Sequence, residues 1–206
     1  MAADNPVLER WNKRYGGEDY VFGTTPNAFL ASQAKLLRPG ERALSIADGE
    51  GRNGVWLAEQ GLDVLSIDHS PVGLAKAEKL AAERGVRLET RQTDIAAWDW
   101  DGESFDIIAG IFIQFAAPPL RARIFAGVER ALRPGGRLIL QGYRPEQLQY
   151  GTGGSKSIEN KYTTELLTAA FVNLEIRHLR EHDSVIHEGT GHDGMSALID
   201  LVAVKP

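Results

Sequence analysis

The 206-residue sequence contains no cysteine. That absence excludes disulfide bridges, a thiolate nucleophile and zinc sites built on cysteine. Also missing is any apolar run of about 18 residues, the length a helix needs to cross a bilayer. The first twenty residues, MAADNPVLERWNKRYGGEDY, lack the basic-then-apolar pattern of a secretory leader. The expectation is a cytoplasmic protein with no membrane partner. No long run of lysine or arginine occurs, and the formal net charge is −5. Proteins that grip a phosphate backbone need a basic face, so nucleic acid is not an expected partner. What is present is ordinary for a folded chain. The 43% hydrophobic and 25% charged content sets aside disorder of the whole chain, and the length suits one domain with small additions.

From about Glu41 onward, short apolar runs alternate with helical stretches. ALSIA (43–47), DVLSID (63–68), VRLETRQ (86–92), FDIIAGIFI (105–113) and RLILQGY (137–143) read as strands. Between them lie helices in RNGVWLAEQ, in SPVGLAKAEKLAAERG and in PPLRARIFAGVERAL, with RPGG (133–136) as a turn before the fifth strand. The second helix has strong punctuation: Ser70 as cap, Pro71 at the first helical position and Gly85 as stop. Strands separated by helices of about 10–15 residues predict an α/β fold with a doubly wound, mostly parallel sheet. After Tyr150 the pattern changes. TTELLTAAF is a short helix, while VNLEIRHLRE and ALIDLVAVK are strands joined by the turn-rich HDSVIHEGTGHDG. Without a crossover helix these two should pair antiparallel, so the sheet is expected to end in an antiparallel strand pair. The resulting organisation is one domain over 1–206, with a helical lid in residues 1–40 and an α/β core in residues 41–206.

In such sheets ligands bind beyond the carboxyl ends of the strands. Gly49-Glu50-Gly51-Arg52-Asn53-Gly54 follows the first strand and fits G-x-G-x-x-G, a pattern shared by dinucleotide sites. Gly49 and Gly51 let the backbone curve and approach a ligand closely. Asp68 ends the second strand, where a carboxylate can accept hydrogen bonds from a ribose diol; capping of the next helix is the alternative. Asp94 follows the third strand and can accept from an adenine amine, with Ile95 beside the ring; an Asx turn is the alternative. GIFIQF (110–115) ends the fourth strand and can line the space of a transferred group. Trp11, Tyr15, Tyr20 and Phe22 are either core packing or aromatic faces toward a cationic ligand. His182, His187 and His192 do not share a helical face, which argues against a metal site.

Taken in chain order, LSIADGEGRNGVWLA, VLSIDHS, QTDIAAW, FDIIAGIFIQF and ALRPGGRLIL resemble the class I S-adenosylmethionine-dependent methyltransferases. WNKRYGGEDYVFGTTPNAFL (11–30) with GEGRN resembles the small-molecule branch that includes the tellurite-resistance and thiol methyltransferases. TGG (152–154) and HEGTGHDG (187–194) are similar to a bacterial subgroup of that branch. The resemblance implies a Rossmann-like fold, S-adenosyl-L-methionine as cofactor, and methyl transfer to a small-molecule acceptor such as a thiol or metalloid. It implies a cofactor set of Asp48, Gly49, Gly51, Asn53, Asp68, His69, Asp94, Ile95 and Ile111. On the substrate side stand Trp11, Tyr15, Tyr20, Phe22, Gln114 and Phe115. No metal ligand is implied. Three positions depart from the family pattern: Ser45 replaces an acid, Ala47 the first glycine, and Asp48 a usual Cys or Ser. Asp48 could then take the cofactor's amino group. A soft acceptor needs no base; for a hydroxyl acceptor, His192 or Tyr20 would serve.

Two rivals remain at this level. An NAD(P)-dependent oxidoreductase explains the glycine hexapeptide, but the Tyr-x-x-x-Lys of short-chain dehydrogenases is missing: Tyr143, Tyr150 and Tyr162 are followed at that spacing by Gln147, Gly154 and Leu166. A non-catalytic S-adenosylmethionine-binding domain is the other.

Overall fold

The computed structural model describes residues 5–206. In chain order, helices α1 (Pro6–Tyr15) and α2 (Ala28–Ser32) precede strand β1 (Arg42–Ile46). Then come α3 (Arg52–Glu59), β2 (Asp63–Asp68), α4 (Pro71–Arg84), β3 (Glu89–Gln92), β4 (Phe105–Ile111), α5 (Pro118–Ala131) and β5 (Leu132–Tyr143). The chain ends with α6 (Gln147–Tyr150), α7 (Thr164–Ala170), β6 (Glu175–Glu188) and β7 (His192–Val204). One seven-stranded sheet results, in the order β3-β2-β1-β4-β5-β7-β6. Pairing is parallel from β3 through β5, and antiparallel between β5 and β7 and between β7 and β6.

Local chemistry explains most boundaries. Asn5 caps α1 by accepting from the Val7 and Leu8 N–H groups, with Pro6 at the first helical position. Ser70 caps α4 by accepting from the Gly73 N–H at 3.1 Å, and Gly85 stops it in the left-handed conformation. Strand residues alternate between two cores. Leu44, Ile46, Leu65, Ile67, Ile108 and Leu138 pack with Ile124, Phe125 and Val128 of α5 and Leu167 of α7. Ala43, Val64, Ile107, Ala109 and Ile139 face the other way, onto Phe29 and Leu30 of α2 and Leu57 of α3. Burial on both faces is why these strands read as continuous apolar runs.

Three elements differ from the sequence reading. The stretch HDSVIHEGTGHDG is not a long turn: all of it except residues 189–191 lies in β6 and β7, with Ser184 opposite Ser196 and Val185 opposite Met195. Cross-strand pairing overrides the local turn preference there. RPGG (133–136) lies inside β5 rather than before it, at an irregularity in the β4–β5 register between Phe105 and Ile107. β4 stops at Ile111 because Phe112 adopts φ 55°. Among the described residues, no helix is long and apolar enough to cross a membrane.

Candidate active site

β1 lies between β2 and β4, at the point where strand order reverses and where open α/β sheets bind ligands. A cavity of about 820 Å³ opens there. Ala47 and Phe112, which follow β1 and β4, both line it. Among the described residues they are the only non-glycines with positive φ, at 49° and 55°. Strained backbone of this kind persists where the surroundings dictate it and gathers at functional sites.

Ala47, Asp48, Arg52 and Asn53 of the turn line the cavity, whereas Gly49 and Gly51 lie behind them and do not. Gly49 has φ 60° and Gly51 φ 87°. A Cβ on Gly49 would fall 2.7 Å from the Tyr15 hydroxyl, and one on Gly51 would fall 2.4 Å from the Cβ of Ala77. The turn is therefore pressed between α1 and α4. Gly51 has no side chain with which to cap α3, and Asp48 does that work instead. Its carboxylate accepts from the Gly54 N–H at 3.0 Å and from Ser66 Oγ at 2.8 Å. Burial raises its pKa in spite of those bonds. Gly54 makes room for this: a Cβ would sit 2.3 Å from Asp48 Oδ2.

Asp68 accepts from the Gly49 N–H through one oxygen and from the Ser70 N–H through the other, both at 2.8 Å. Each carboxylate oxygen has a second lone pair, so Asp68 both braces the turn and keeps acceptor capacity at the cavity wall. Its pKa is raised by burial. His69, Asp94 and Ile95 continue the wall. Asp94 also accepts from the Ala96 N–H at 2.9 Å, closing an Asx turn. Asn53 and Ile111 line the middle, and the Asn53 side-chain oxygen accepts from the Asn27 N–H at 3.0 Å.

Helix α1 and the segment after it cover the cavity. Trp11 and Tyr15 stack with ring centroids 5.4 Å apart, and Phe22 meets Tyr15 edge-on at 6.5 Å. Lys76 of α4 ties this cover down, donating to the Gly17 and Asp19 carbonyls and pairing with Glu50 at 2.6 Å. Of the aromatic set, Tyr20 is a correction. It does not line the cavity; its hydroxyl donates to the Lys76 carbonyl at 3.0 Å, and its ring packs beside Val55 and Leu80. A hydroxyl engaged on α4 cannot act as a base in the cavity. Phe115 and Gln114 do line it, although the Gln114 amide nitrogen is spent on the Tyr143 and Asn160 carbonyls.

At the far end the His192 ring lies 4.6 Å from Phe22, 4.4 Å from Phe112 and 5.6 Å from Tyr143, centroid to centroid. Desolvation, followed by the positive charges of Arg52 and Arg14, pushes the His192 pKa down to about 3. The imidazole is thus neutral at pH 7. The unfolded chain holds this proton with a pKa of about 6.5. Between these values the unfolded state binds the extra proton, so stability is full above the unfolded pKa and falls as pH drops toward 3. His192→Gln is expected to flatten the acid side of the stability profile by up to about 1.4 kcal/mol per pH unit. Urea unfolding between pH 7 and pH 4.5 checks this; parallel profiles for the two proteins would refute it.

Sequence reasoning missed Arg52 and Tyr143, both of which line the cavity, while Phe112 lies in the GIFIQF stretch expected there. Arg52 pairs with Glu188 at 2.6 Å, both buried. A cation in the first turn of a helix opposes the helix dipole, which was a signal for a distant acidic partner. Glu188 is itself held by Asn27, which also binds Gln141; Gln141 donates to Asp200, and Asp200 meets His182 Nε2 at 2.9 Å. This buried chain joins the β6–β7 hairpin to α2 and α3. His187 meets Asp193 on the surface, so the three histidines diverge.

Residues 43–136 match the family model described as "Methyltransferase domain". The chain shares its fold, with this strand order and a cavity at its switch point, with methyltransferases of known structure, and residues 43–136 resemble a methyltransferase domain. It is 29% identical over 147 residues to the ribosomal protein L11 methyltransferase of Thermus thermophilus, covering 66% of this chain and 56% of that protein. The crystal structure of TehB from Haemophilus influenzae superposes with a TM-score of 0.71 at 17% identity, covering 97% of this chain and 67% of that one. The N-methyltransferase NodS from Bradyrhizobium japonicum, in complex with S-adenosyl-L-homocysteine, gives a TM-score of 0.71 at 15% identity over 98% of this chain and 100% of that one. The chain spans 36% to 56% of the length of several curated relatives that it matches. The dinucleotide reading loses its footing in the topology as well. A dinucleotide fold continues with a parallel sixth strand beside β5, whereas β7 lies there antiparallel.

Proposed function

We propose that the protein transfers a methyl group from S-adenosyl-L-methionine to a small-molecule acceptor, with a soft nucleophile such as a thiol or metalloid species favoured. The observation that carries this reading is the single continuous cavity, which runs from Asp68, Asp94 and Ile95 past the glycine turn to Phe22, Phe112 and His192. Its volume of about 820 Å³ is in the range of small-molecule and cofactor sites.

When bound, the cofactor supplies an activated methyl group on a cationic sulfur. The residues present suit it. Asp68 has spare acceptor capacity for ribose hydroxyls, and Ile95 offers an apolar face beside Asp94 for adenine. Asp48 and Asn53 of the turn line the cavity, and the aromatic cluster of Trp11, Tyr15 and Phe22, whose Trp11 and Phe22 rings already hold Arg14, favours positive charge. Of the expected lid in residues 1–40, the part from Asn5 to Phe22 covers the cavity and excludes water during transfer, while α2 packs Phe29 and Leu30 into the core instead; residues 1–4 lie outside the described residues. Phe22, Phe112 and Tyr143 dry the acceptor end. Little covalent work is left to the chain, whose contribution is alignment.

His192 is the remaining base candidate from the sequence. Its low proton affinity makes it a weak base for a hydroxyl. Positive charge from Arg14 and Arg52 favours a thiolate instead. That combination supports an acceptor that arrives ionised or is intrinsically nucleophilic. The burial of His192 and Tyr143 at the acceptor end also supports a small molecule rather than a nucleic acid.

Calorimetry with S-adenosylhomocysteine, NAD and NADP in parallel tests the reading. Saturable binding of S-adenosylhomocysteine alone is the expected result; heat from NAD with none from S-adenosylhomocysteine would sink it. Binding without methylation of any thiol, metalloid or hydroxyl acceptor in a broad screen would point to a non-catalytic binding domain.

A further inference from the structure

Around the far end of the cavity, five buried polar atoms have no hydrogen-bond partner: Arg52 Nη1, Tyr143 Oη, His192 Nδ1, Lys161 Nζ and Asn160 Oδ1, of which only the last is confined to accepting. They belong to neighbouring side chains. Lys161 Nζ lies 5.2 Å from the centre of the Tyr143 ring, which meets His192 edge-on at 5.6 Å. The TGG segment presses on the same group. A Cβ on Gly153 would fall 2.7 Å from Tyr143 Oη and 3.1 Å from His192, and one on Gly154 would fall 3.0 Å from Lys161 Nζ. Native proteins rarely leave buried polar groups unpaired, and a cluster of them calls for a missing partner.

The charges say what kind. The acids lining the cavity, Asp48, Asp68 and Asp94, all sit at the ends of β1, β2 and β3. The far end and the lid contribute Arg10, Arg14, Arg52 and Lys156 instead. Glu188 neutralises one side of Arg52, through Nη2, while its other oxygen is taken by Asn27 Nδ2 and the Ala28 N–H. Arg52 Nη1 is left without a hydrogen-bond partner, although the Asp48 carboxylate feels the Arg52 charge. Arg52 and Lys161 carry donors only, and Tyr143 and His192 can donate too. The partner must accept hydrogen bonds and carry negative charge.

We infer that the far end of the cavity holds a carboxylate group of the methyl acceptor, with Arg52 Nη1 as its principal donor, flanked by Tyr143 and His192. The acceptor is then a small organic acid whose apolar body packs against Phe22 and Phe112. The inference rests on the methyl-transfer reading and names the substrate class for it.

Phenylacetate and its neutral isostere phenylacetamide probe this directly, with the protein saturated with S-adenosylhomocysteine. Binding is followed by the NMR signals of the His192 imidazole, in wild type and in R52Q/E188Q, which removes the buried ion pair as a unit. Phenylacetate is expected to bind wild type at least tenfold more tightly than the amide. It should also raise the His192 pKa, because a carboxylate offsets the positive field of Arg52 and Arg14. The tenfold preference should vanish in the double variant, with S-adenosylhomocysteine affinity unchanged. Equal affinity for acid and amide overturns the inference, as does a preference that survives in the double variant. A fall in S-adenosylhomocysteine affinity in the double variant overturns it too, because Arg52 would then serve the cofactor's own carboxylate. Failure of wild type to bind S-adenosylhomocysteine sinks the methyl-transfer reading itself, a distinct result. If the double variant does not fold, the acid–amide comparison and the His192 shift in wild type decide alone.

Discussion

Gly51→Ala is expected to destabilise the protein by about 3 kcal/mol or more. Two separate causes add. An L-residue in the left-handed conformation costs roughly 1–2 kcal/mol, and Gly51 sits at φ 87°. Overpacking costs about 1–3 kcal/mol more, and the new methyl would fall 2.4 Å from Ala77 Cβ and 2.7 Å from its Cα. Ala77 belongs to α4, whose backbone cannot withdraw without pulling Leu80 and Ala81 from their contacts with Val55. Urea unfolding of the variant gives the total. Pairing it with Ala77→Gly separates the causes: relief of the clash should restore part of the stability, while the φ penalty and the helix cost of a second glycine persist. A midpoint equal to wild type in the single variant would show that the turn is looser than its contacts imply.

The second large effect is on the cofactor. Asp68→Asn is expected to weaken S-adenosylhomocysteine binding by roughly tenfold to a hundredfold, the scale of a lost hydrogen bond to a charged group, about 1.5–3 kcal/mol. The asparagine amide offers one oxygen where two are now used on Gly49 and Ser70, so its remaining acceptor is committed to the backbone. Asp48→Asn is the contrasting variant. Its carboxylate is directed at Gly54 and Ser66 inside the turn, so stability should fall while affinity changes less. Calorimetry on both variants, with unfolding curves as control, checks the pair. Equal losses of affinity would mean that both acids act only by shaping the turn.

The difference between these two aspartates shows how far local pattern reaches. Both follow a strand and flank the glycine turn, and the sequence marks both as cofactor ligands. Both line the cavity, and the fold gives them different partners: Ser66 of β2 and Gly54 of α3 hold Asp48, while the Gly49 and Ser70 N–H groups hold Asp68. Tyr20 is a similar case. It shares an aromatic segment with Phe22, yet its ring lies against α4 because Lys76 offers its carbonyl there. For His192 the sequence supplied an isolated histidine in a glycine-rich stretch, but its low proton affinity comes from three aromatic rings and two arginines contributed by other elements.

By itself the sequence determined the alternation of strands and helices, the caps of α4, the glycine turn and the acids at the strand ends. These depend on periods, caps and φ preferences that act over a few residues. Tertiary structure alone decided the extension of the β6–β7 hairpin, the turning away of Tyr20, and the meeting of Arg52 with Glu188 across 136 positions of chain. Those outcomes depend on strand register and on the packing of helices across the sheet. No local window encodes either, because the partners come together only when the whole sheet has closed.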